Sequence, residues 1–170
     1  MKIKVMPRLE CFAVAHGWGR EYGEDVEDIT KPTLIISISS MDTPIPNILE
    51  EDEKENDAII HVEFCQFDDV DGYNSFNIFE DDPNCLPFNL TPMEDKDAKQ
   101  ILNAVEKYKD SVEEIIVHCD AGFSRSPAVA AALSLWLNGD DSEFFDRNHY
   151  CPNTWVYRKL LNEMIARHYF

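Results

Sequence analysis

The chain has 170 residues, of which 15 are Lys or Arg and 33 are Asp or Glu, so its formal net charge is −18. This length allows one folded domain with a sizeable core, and 44% hydrophobic with 28% charged residues is typical of a globular protein rather than a disordered one. So negative a chain repels the phosphate backbone of nucleic acids and the anionic headgroups of lipids. Neither nucleic acid nor a membrane surface is therefore an expected partner.

The cysteines and histidines form no pattern typical of a disulfide framework or a metal site. The five cysteines are odd in number and widely scattered: Cys11, Cys65, Cys85, Cys119 and Cys151. The amino terminus has no apolar run of signal-peptide length, and the longest apolar stretch, residues 128–137, is about half of the ~20 residues that a membrane span requires. The sequence predicts a cytoplasmic protein without a metal ion or other cofactor.

The first predicted elements are strands. Residues 3–5 form a short β-type run closed by Pro7, and the stretch that follows, through Phe12, fits either a turn of helix or an extended segment. Residues 33–38 are a compact β-branched run bounded by turn residues, and residues 58–64 form another. Both runs are predicted to be buried strands.

A long connection precedes the predicted helices. Residues 73–90, rich in Asn, Asp, Phe and Pro, are expected to be a functional lid or an insertion. A helix start is predicted at Thr91, with Pro92 at the first helical position and Glu94 closing a capping box. The remaining predicted elements are a strand at residues 113–118, a buried helix at 127–137, a short helical turn at 142–146 and an amphipathic helix from 154 to about 167.

The order of these elements predicts an α/β fold. The strands are apolar without alternation, which is typical of a mainly parallel sheet with helices on both faces. We expect a single domain over residues 1–170, with about four to five strands flanked by helices and the insertion at residues 73–90. Such sheets place ligands at the carboxyl ends of their strands, usually at a helix amino terminus.

One junction between a strand and a helix has the residues of an anion site. Residues 118–127, HCDAGFSRSP, run from the end of a predicted strand into the buried helix. Small residues around Gly122 let successive N–H groups converge, and the helix adds the positive end of its dipole. Arg125 adds a planar fork that can bind two oxyanions. The predicted phosphate-binding residues are Asp120, Ala121, Gly122, Phe123, Ser124 and Arg125.

The same junction supplies a candidate nucleophile. Cys119 lies where this positive field favours its thiolate form, which is the reactive one. Ser126 can donate a hydrogen bond to the thiolate and ease its departure from a covalent intermediate. His118 is predicted to orient the loop by hydrogen bonding rather than to act as a base. A lone cysteine is usually structural, but one at a strand end before Gly122 and Arg125 has few structural reasons to exist.

The segment resembles the signature of cysteine-based protein phosphatases, and the chain is similar in size and layout to the compact tyrosine and dual-specificity members. The residues that match the pattern H-C-x-x-x-x-x-R-S are His118, Cys119, Arg125 and Ser126. Residues 151–155, CPNTW, followed by a Leu-rich helix, are similar to a segment near the end of the family's domain. The resemblance covers residue 33 to the carboxyl terminus with one insertion, and covers the first thirty residues weakly.

The resemblance implies a two-step reaction. Cys119 attacks phosphorus while a carboxylic acid protonates the leaving oxygen, and water then hydrolyses the phosphocysteine with the same carboxylate as base. In the family the acid lies on a loop after the preceding strand, and the run Phe67, Asp68, Asp69 matches that position, which implies Asp69 as the acid. Because the stretch from Asp69 to Cys119 is longer than in the compact family, other carboxylates stay open as the acid: Asp71, Asp68, Asp81 and Asp82.

The loop composition limits the expected substrate. Between Cys119 and Arg125 there is no Lys or second Arg, whereas phosphatases of phosphoinositides and RNA triphosphates need extra basic groups. The expected substrate is a single phosphomonoester, as phosphotyrosine or phosphoserine/threonine on a protein or peptide, or a small aryl phosphate. Two other functions stay open, a catalytically silent module that binds phosphorylated partners and a rhodanese-like sulfurtransferase. The sequence does not predict the oligomeric state.

Overall fold

The computed structural model of the chain describes residues 1–43, 56–70 and 90–170. Its four strands are β1 (Lys2–Pro7), β2 (Thr33–Ser39), β3 (Ile59–Gln66) and β4 (Glu114–Cys119). Its helices are α1 (Arg8–Ala15), α2 (Gly19–Tyr22), α3 (Asp95–Tyr108), α4 (Arg125–Asn138) and α5 (Thr154–Ala166), with a 3₁₀ helix at Ser142–Phe145. None of these helices combines the length and hydrophobicity that crossing a membrane requires.

All four strands pair in parallel, in the order β1, β4, β2, β3. The central strands β2 and β4 are buried along their whole length, which is why apolar residues predominate in them without alternating with exposed polar ones. Successive side chains alternate between the two faces of the sheet. One face packs on α3, α4 and α5, with Leu34, Ile36, Ile115 and Val117 in that core, and the other packs on α1, with Met6, Ile35, Val62 and Ile116. The predicted α/β fold is confirmed.

The element boundaries follow from local sequence with small shifts. The stretch after Pro7, for which two conformations were open, is helix α1. Helix α4 starts at Arg125, earlier than predicted, and stops at Gly139, which has a left-handed conformation with φ of +78°. Helix α5 begins after Asn153, whose side-chain oxygen accepts the N–H groups of Trp155 and Val156. The predicted insertion at 73–90 lies outside the described residues except for Leu90.

The predicted start of α3 at Thr91 is wrong. Thr91 donates its N–H to Asp68 Oδ2 at 2.7 Å, and its carbonyl accepts the Asp68 N–H at 2.7 Å. These two bonds hold Thr91 in the connection before the helix. Glu94 is the N-cap in an extended conformation, and its N–H donates to Asp97 Oδ2 at 2.8 Å. Tertiary hydrogen bonds therefore outweigh a local pattern that favours an earlier start.

Single substitutions distinguish the observed cap from the predicted one. We expect Asp97→Ala to lower the free energy of unfolding by about 1 kcal/mol, because it leaves the Glu94 N–H without its acceptor. Thr91→Ala should change it by less than about 0.5 kcal/mol, because the bonds of Thr91 to Asp68 use backbone atoms of Thr91. Urea unfolding followed by circular dichroism measures both. A larger loss in Thr91→Ala than in Asp97→Ala would contradict the observed helix start.

Candidate active site

The loop between Cys119 and Arg125 lies at the carboxyl edge of the sheet, where a parallel α/β fold presents ligands. Strand β1 runs beside it, with Pro7 in register with Cys119. Gly122 has φ of +69°, and a Cβ atom there would lie 2.7 Å from Pro7 N and 2.8 Å from the Met6 carbonyl carbon. Only glycine allows both this backbone conformation and this close approach.

Hydrogen bonds hold the carbonyl groups of the loop. The carbonyl oxygens accept backbone N–H groups in four pairs: Asp120 from Arg8 at 3.3 Å, Phe123 from Cys151 at 2.9 Å, and Ser124 from Asn153 at 3.1 Å and from Ala128 at 3.3 Å. Within the described ranges, no protein atom accepts a hydrogen bond from the backbone N–H groups of residues 121–124. Those donors stand at the amino terminus of α4, so the loop has the dipoles and the unpaired N–H groups of an anion site.

The candidate nucleophile lies at the base of this loop. Cys119 is buried, and its Sγ atom is 3.1 Å from the Oγ atom of Ser126 in the first turn of α4. Because side chains alternate along β4, Cys119 faces the same side of the sheet as Val117, towards α4. The predicted contact between Ser126 and the sulfur is thus geometrically available.

Arg125 is buried, and three acceptors fix its guanidinium group. Nη1 donates to the Phe67 carbonyl at 2.9 Å and to Ser40 Oγ at 3.0 Å, and Nη2 donates to Asp120 Oδ2 at 2.5 Å. The Nε atom is also buried, and it has no hydrogen-bond partner among the described residues. The Nε–H group and the second N–H of Nη2 therefore remain for a two-point contact with an anion.

The two carboxylates after β3 have different surroundings. Asp68 is buried and accepts the backbone N–H groups of Met41 at 3.1 Å and Thr91 at 2.7 Å. Both oxygens of Asp68 are thus engaged in holding two loops together. This contact set is that of a structural carboxylate, which makes Asp68 the weaker candidate for the acid.

Asp69 is exposed and lies against the loop. Its Oδ1 atom accepts the hydroxyl group of Ser124 at 2.8 Å and the side-chain amide of Asn153 at 2.8 Å. Asn153 also caps α5, so the final helix and the carboxylate are positioned by one side chain. The structure therefore brings Asp69 to the Cys119–Arg125 loop. The alternatives Asp71, Asp81 and Asp82 lie outside the described residues.

His118 does not make the hydrogen bond that the sequence predicts for it. Its side chain is fully buried, and neither ring nitrogen has a partner of hydrogen-bond geometry among the described residues. Burial lowers the pKa of His118 to about 4, so the ring is neutral near pH 7. Alternation along β4 turns it to the face opposite Cys119.

Sequence reasoning missed three residues that hold this site. Arg8 contacts the Asp120 carboxylate, Ser40 accepts from Arg125, and Asn153 donates to Asp69. A usable signal existed for Arg8 and Ser40, because each directly follows a strand at the same edge of a parallel sheet. Asn153 stands in the segment 151–155 that carries part of the family resemblance.

Known proteins resemble this chain in structure but not in sequence. No family model and no curated protein matches the sequence. The human tyrosine phosphatase-like serine/threonine/tyrosine-interacting protein superimposes with a TM-score of 0.54 and 16% identity, over 98% of this chain and 93% of that one. The chain has a tyrosine phosphatase-like fold. This is the fold that the H-C-x-x-x-x-x-R-S segment implied.

Two further solved structures with this phosphatase-like fold are similar at a TM-score of 0.48 each. One is Tk-PTP in its active form, with 16% identity over 97% of this chain and 90% of that one. The other is PTPMT1 in complex with PI(5)P, with 14% identity over 98% of this chain and 94% of that one.

Two glycines with similar positive φ values separate the effect of the close approach in the Cys119–Arg125 loop from the effect of φ. Gly139 has φ of +78° with open space around it, whereas Gly122 has φ of +69° and lies against β1. We expect Gly139→Ala to lower the free energy of unfolding by about 1 kcal/mol, the cost of a left-handed alanine. Gly122→Ala should cost at least about 2 kcal/mol, because β1 or the loop must also move. Equal losses of the free energy of unfolding in the two variants, measured by denaturant unfolding, would argue against the close packing of Gly122 on β1.

Proposed function

We propose that the chain is a cysteine-dependent phosphatase that hydrolyses single phosphomonoesters through a phosphocysteine intermediate. The proposed substrates are phosphotyrosine or phosphoserine/threonine on proteins or peptides, or small aryl phosphates. The observation that carries the proposal is the convergence of three groups on one loop. The Cys119 sulfur lies at its base, the unpartnered Nε of Arg125 at its end, and Asp69 is hydrogen bonded to Ser124 within it.

In the first step, the phosphate group of the substrate binds to the N–H groups of residues 121–124 and to Arg125. The Cys119 thiolate attacks phosphorus, so an S–P bond forms while the bond from phosphorus to the leaving oxygen breaks. Asp69, in its protonated form, donates its proton to that oxygen. The arginine and the backbone donors stabilise the negative charge on the oxygens around phosphorus in the transition state.

In the second step, water attacks the phosphorus of phosphocysteine. Asp69, now a carboxylate, takes a proton from that water, the S–P bond breaks, and inorganic phosphate forms. The sulfur leaves as a thiolate, and Ser126 Oγ, 3.1 Å away, is placed to donate a hydrogen bond to it. At the end Asp69 is protonated again and Cys119 is again a thiolate, so both residues have returned to their starting states.

A cleft beside Asp69 supports a peptide or protein substrate. It has a volume of about 370 Å³ in the described part of the chain. Met41, Val70 and Leu90 give it an apolar lining, and Asp42 and Asp69 give it negative charge. Phe123, in the phosphate loop, is 48% exposed. Apolar surface next to carboxylates suits the side chains that flank a phosphorylated residue, and favours neutral or basic flanking residues.

A second candidate is a module that binds phosphorylated partners without turnover. The human protein with the same fold is named as an interacting protein, which favours this candidate. The presence of Cys119, Arg125 and Asp69 around one loop favours hydrolysis, because a binding module needs no nucleophile or acid. A sulfurtransferase would have no use for the Asp69 carboxylate against its loop, so we rank it third.

Replacing the nucleophile tests hydrolysis directly. We expect the protein to hydrolyse p-nitrophenyl phosphate in the presence of EDTA, and Cys119→Ser to lower kcat by at least about a thousandfold, because the hydroxyl group is a far weaker nucleophile. Cys151→Ser is the matched control, since Cys151 is exposed and contacts the loop through its backbone. Turnover retained in Cys119→Ser would end the phosphocysteine proposal, and a wild-type protein that binds phosphate without turnover would support the binding module.

The leaving group tests the assignment of the acid. Asp69→Asn should lower kcat with phosphotyrosine by about a hundredfold, and much less with p-nitrophenyl phosphate, whose leaving group is stable without a proton. Asp68→Asn is the comparison, because it should lower stability through the Met41 and Thr91 contacts while affecting both substrates alike. If Asp68→Asn or Asp71→Asn shows the leaving-group dependence instead, Asp69 is not the acid.

A further inference from the structure

The side chain of Asp120 lies between two arginines. Its Oδ2 atom accepts from Arg125 Nη2 at 2.5 Å and from Ser40 Oγ at 3.3 Å, and its Oδ1 atom contacts Arg8 Nη2. Asp120 is 41% exposed, whereas the side chains of Arg125 and Arg8 are 5% and 21% exposed. A carboxylate in the phosphate loop thus pairs with the phosphate-binding arginine and with a second arginine outside the loop.

Arg8 is held where β1 passes into α1. Its backbone N–H donates to the carbonyl of Asp120 at 3.3 Å, and its Nη2 also donates to Ser39 Oγ at 3.3 Å. Its Nε atom is buried and has no hydrogen-bond partner among the described residues. Main chain and side chain of Arg8 therefore both fix Asp120, and burying this cation without the Asp120 carboxylate would be costly.

A phosphate group on Arg125 creates an electrostatic conflict that Arg8 reduces. The ligand is an anion, and Asp120 is an anion bound to the same guanidinium group. With Arg8 on its other oxygen, Asp120 has its charge balanced, and it holds Arg125 by one N–H only. Without Arg8, the unbalanced negative charge of Asp120 would repel the anionic ligand. Both oxygens of its carboxylate could then bind Arg125 and occupy the N–H groups that the ligand needs.

We propose that Arg8 is a positioning residue of the phosphate site, which acts through Asp120 by balancing the charge of this carboxylate and keeping it from competing for Arg125. The inference rests on the proposed function, since it assumes that the loop binds phosphate. It assigns a role in ligand affinity to the β1–α1 junction, where the sequence resemblance to the phosphatase family is weak.

A double-mutant cycle tests this coupling with inorganic phosphate as the probe. Calorimetry on the full chain gives the dissociation constant for wild type, Arg8→Gln, Asp120→Asn and the double variant. We expect Arg8→Gln to weaken binding by about tenfold in the wild-type background, and by less than about threefold when Asp120→Asn is present, because the charge to be balanced is then gone. Arg20→Gln, at an exposed arginine in α2, is the matched control and should change binding by less than about twofold.

Further variants separate the coupling from folding and from catalysis. Arg8→Lys keeps the positive charge beside Asp120 and should bind phosphate within about threefold of wild type, even if Arg8→Gln proves unstable in thermal unfolding. In steady-state kinetics Arg8→Gln should raise KM and leave kcat within about threefold, since it removes no group that transfers a proton or attacks phosphorus.

The outcomes distinguish this inference from the proposed function. Equal weakening by Arg8→Gln in both backgrounds, or loss of binding in a folded Arg8→Lys, would overturn the coupling through Asp120 while leaving the phosphatase proposal intact. A wild-type protein with neither phosphate binding nor hydrolysis would overturn both. Phosphate binding without hydrolysis, with the expected coupling, would support the role of Arg8 in a binding module.

Discussion

The buried guanidinium group of Arg125 is the interaction on which the site depends. A buried cation is costly unless acceptors surround it. Its acceptors come from three places, the Phe67 carbonyl after β3, Ser40 after β2 and Asp120 after β4. Satisfying Arg125 therefore brings the carboxyl ends of three parallel strands into one arrangement. The two N–H groups left over are those that the proposed reaction needs, so the same requirement that stabilises the fold also prepares the anion site.

Successive side chains of β4 face opposite sides of the sheet, so neighbouring motif residues have different surroundings. On β4, Cys119 turns towards α4, where Ser126 lies beside its sulfur, and His118 turns towards the α1 face, where burial keeps it neutral. Beyond the strand, Gly122 brings the loop against the end of β1. The candidate nucleophile thus faces the helices on one side of the sheet, while β1 and α1 contact the loop from the other side. A rigid scaffold with a short loop at its edge is what preorganised anion binding requires.

The parts of this picture that the sequence predicts are those encoded over short distances along the chain. Apolar, β-branched runs without alternation indicate the strands, and the spacing of Cys119 and Arg125 around Gly122 indicates the phosphate loop. The contacts that the sequence does not reveal join distant segments. Asp69 meets Ser124 across 55 positions and Asn153 across 84. Thr91 shows the same limit, because its local pattern favours a helix start and its bonds to Asp68 prevent one. His118 illustrates it too, since a motif position does not specify a hydrogen-bond partner.

The net charge of −18 does not by itself determine how the site interacts with an anion. At physiological ionic strength, charges separated by more than about 8 Å of solvent are largely screened from one another, so the distant carboxylates act weakly on a ligand already in the loop. Two carboxylates are not distant: Asp69 accepts a hydrogen bond from Ser124 in the loop, and Asp120 touches the arginine that would bind the ligand. For the proposed phosphate site of so acidic a chain, the balance of charge at Asp120, which contacts Arg125 directly, is expected to matter more than the overall charge. The second arginine on Asp120 is therefore the feature that reconciles an acidic protein with a local anion site.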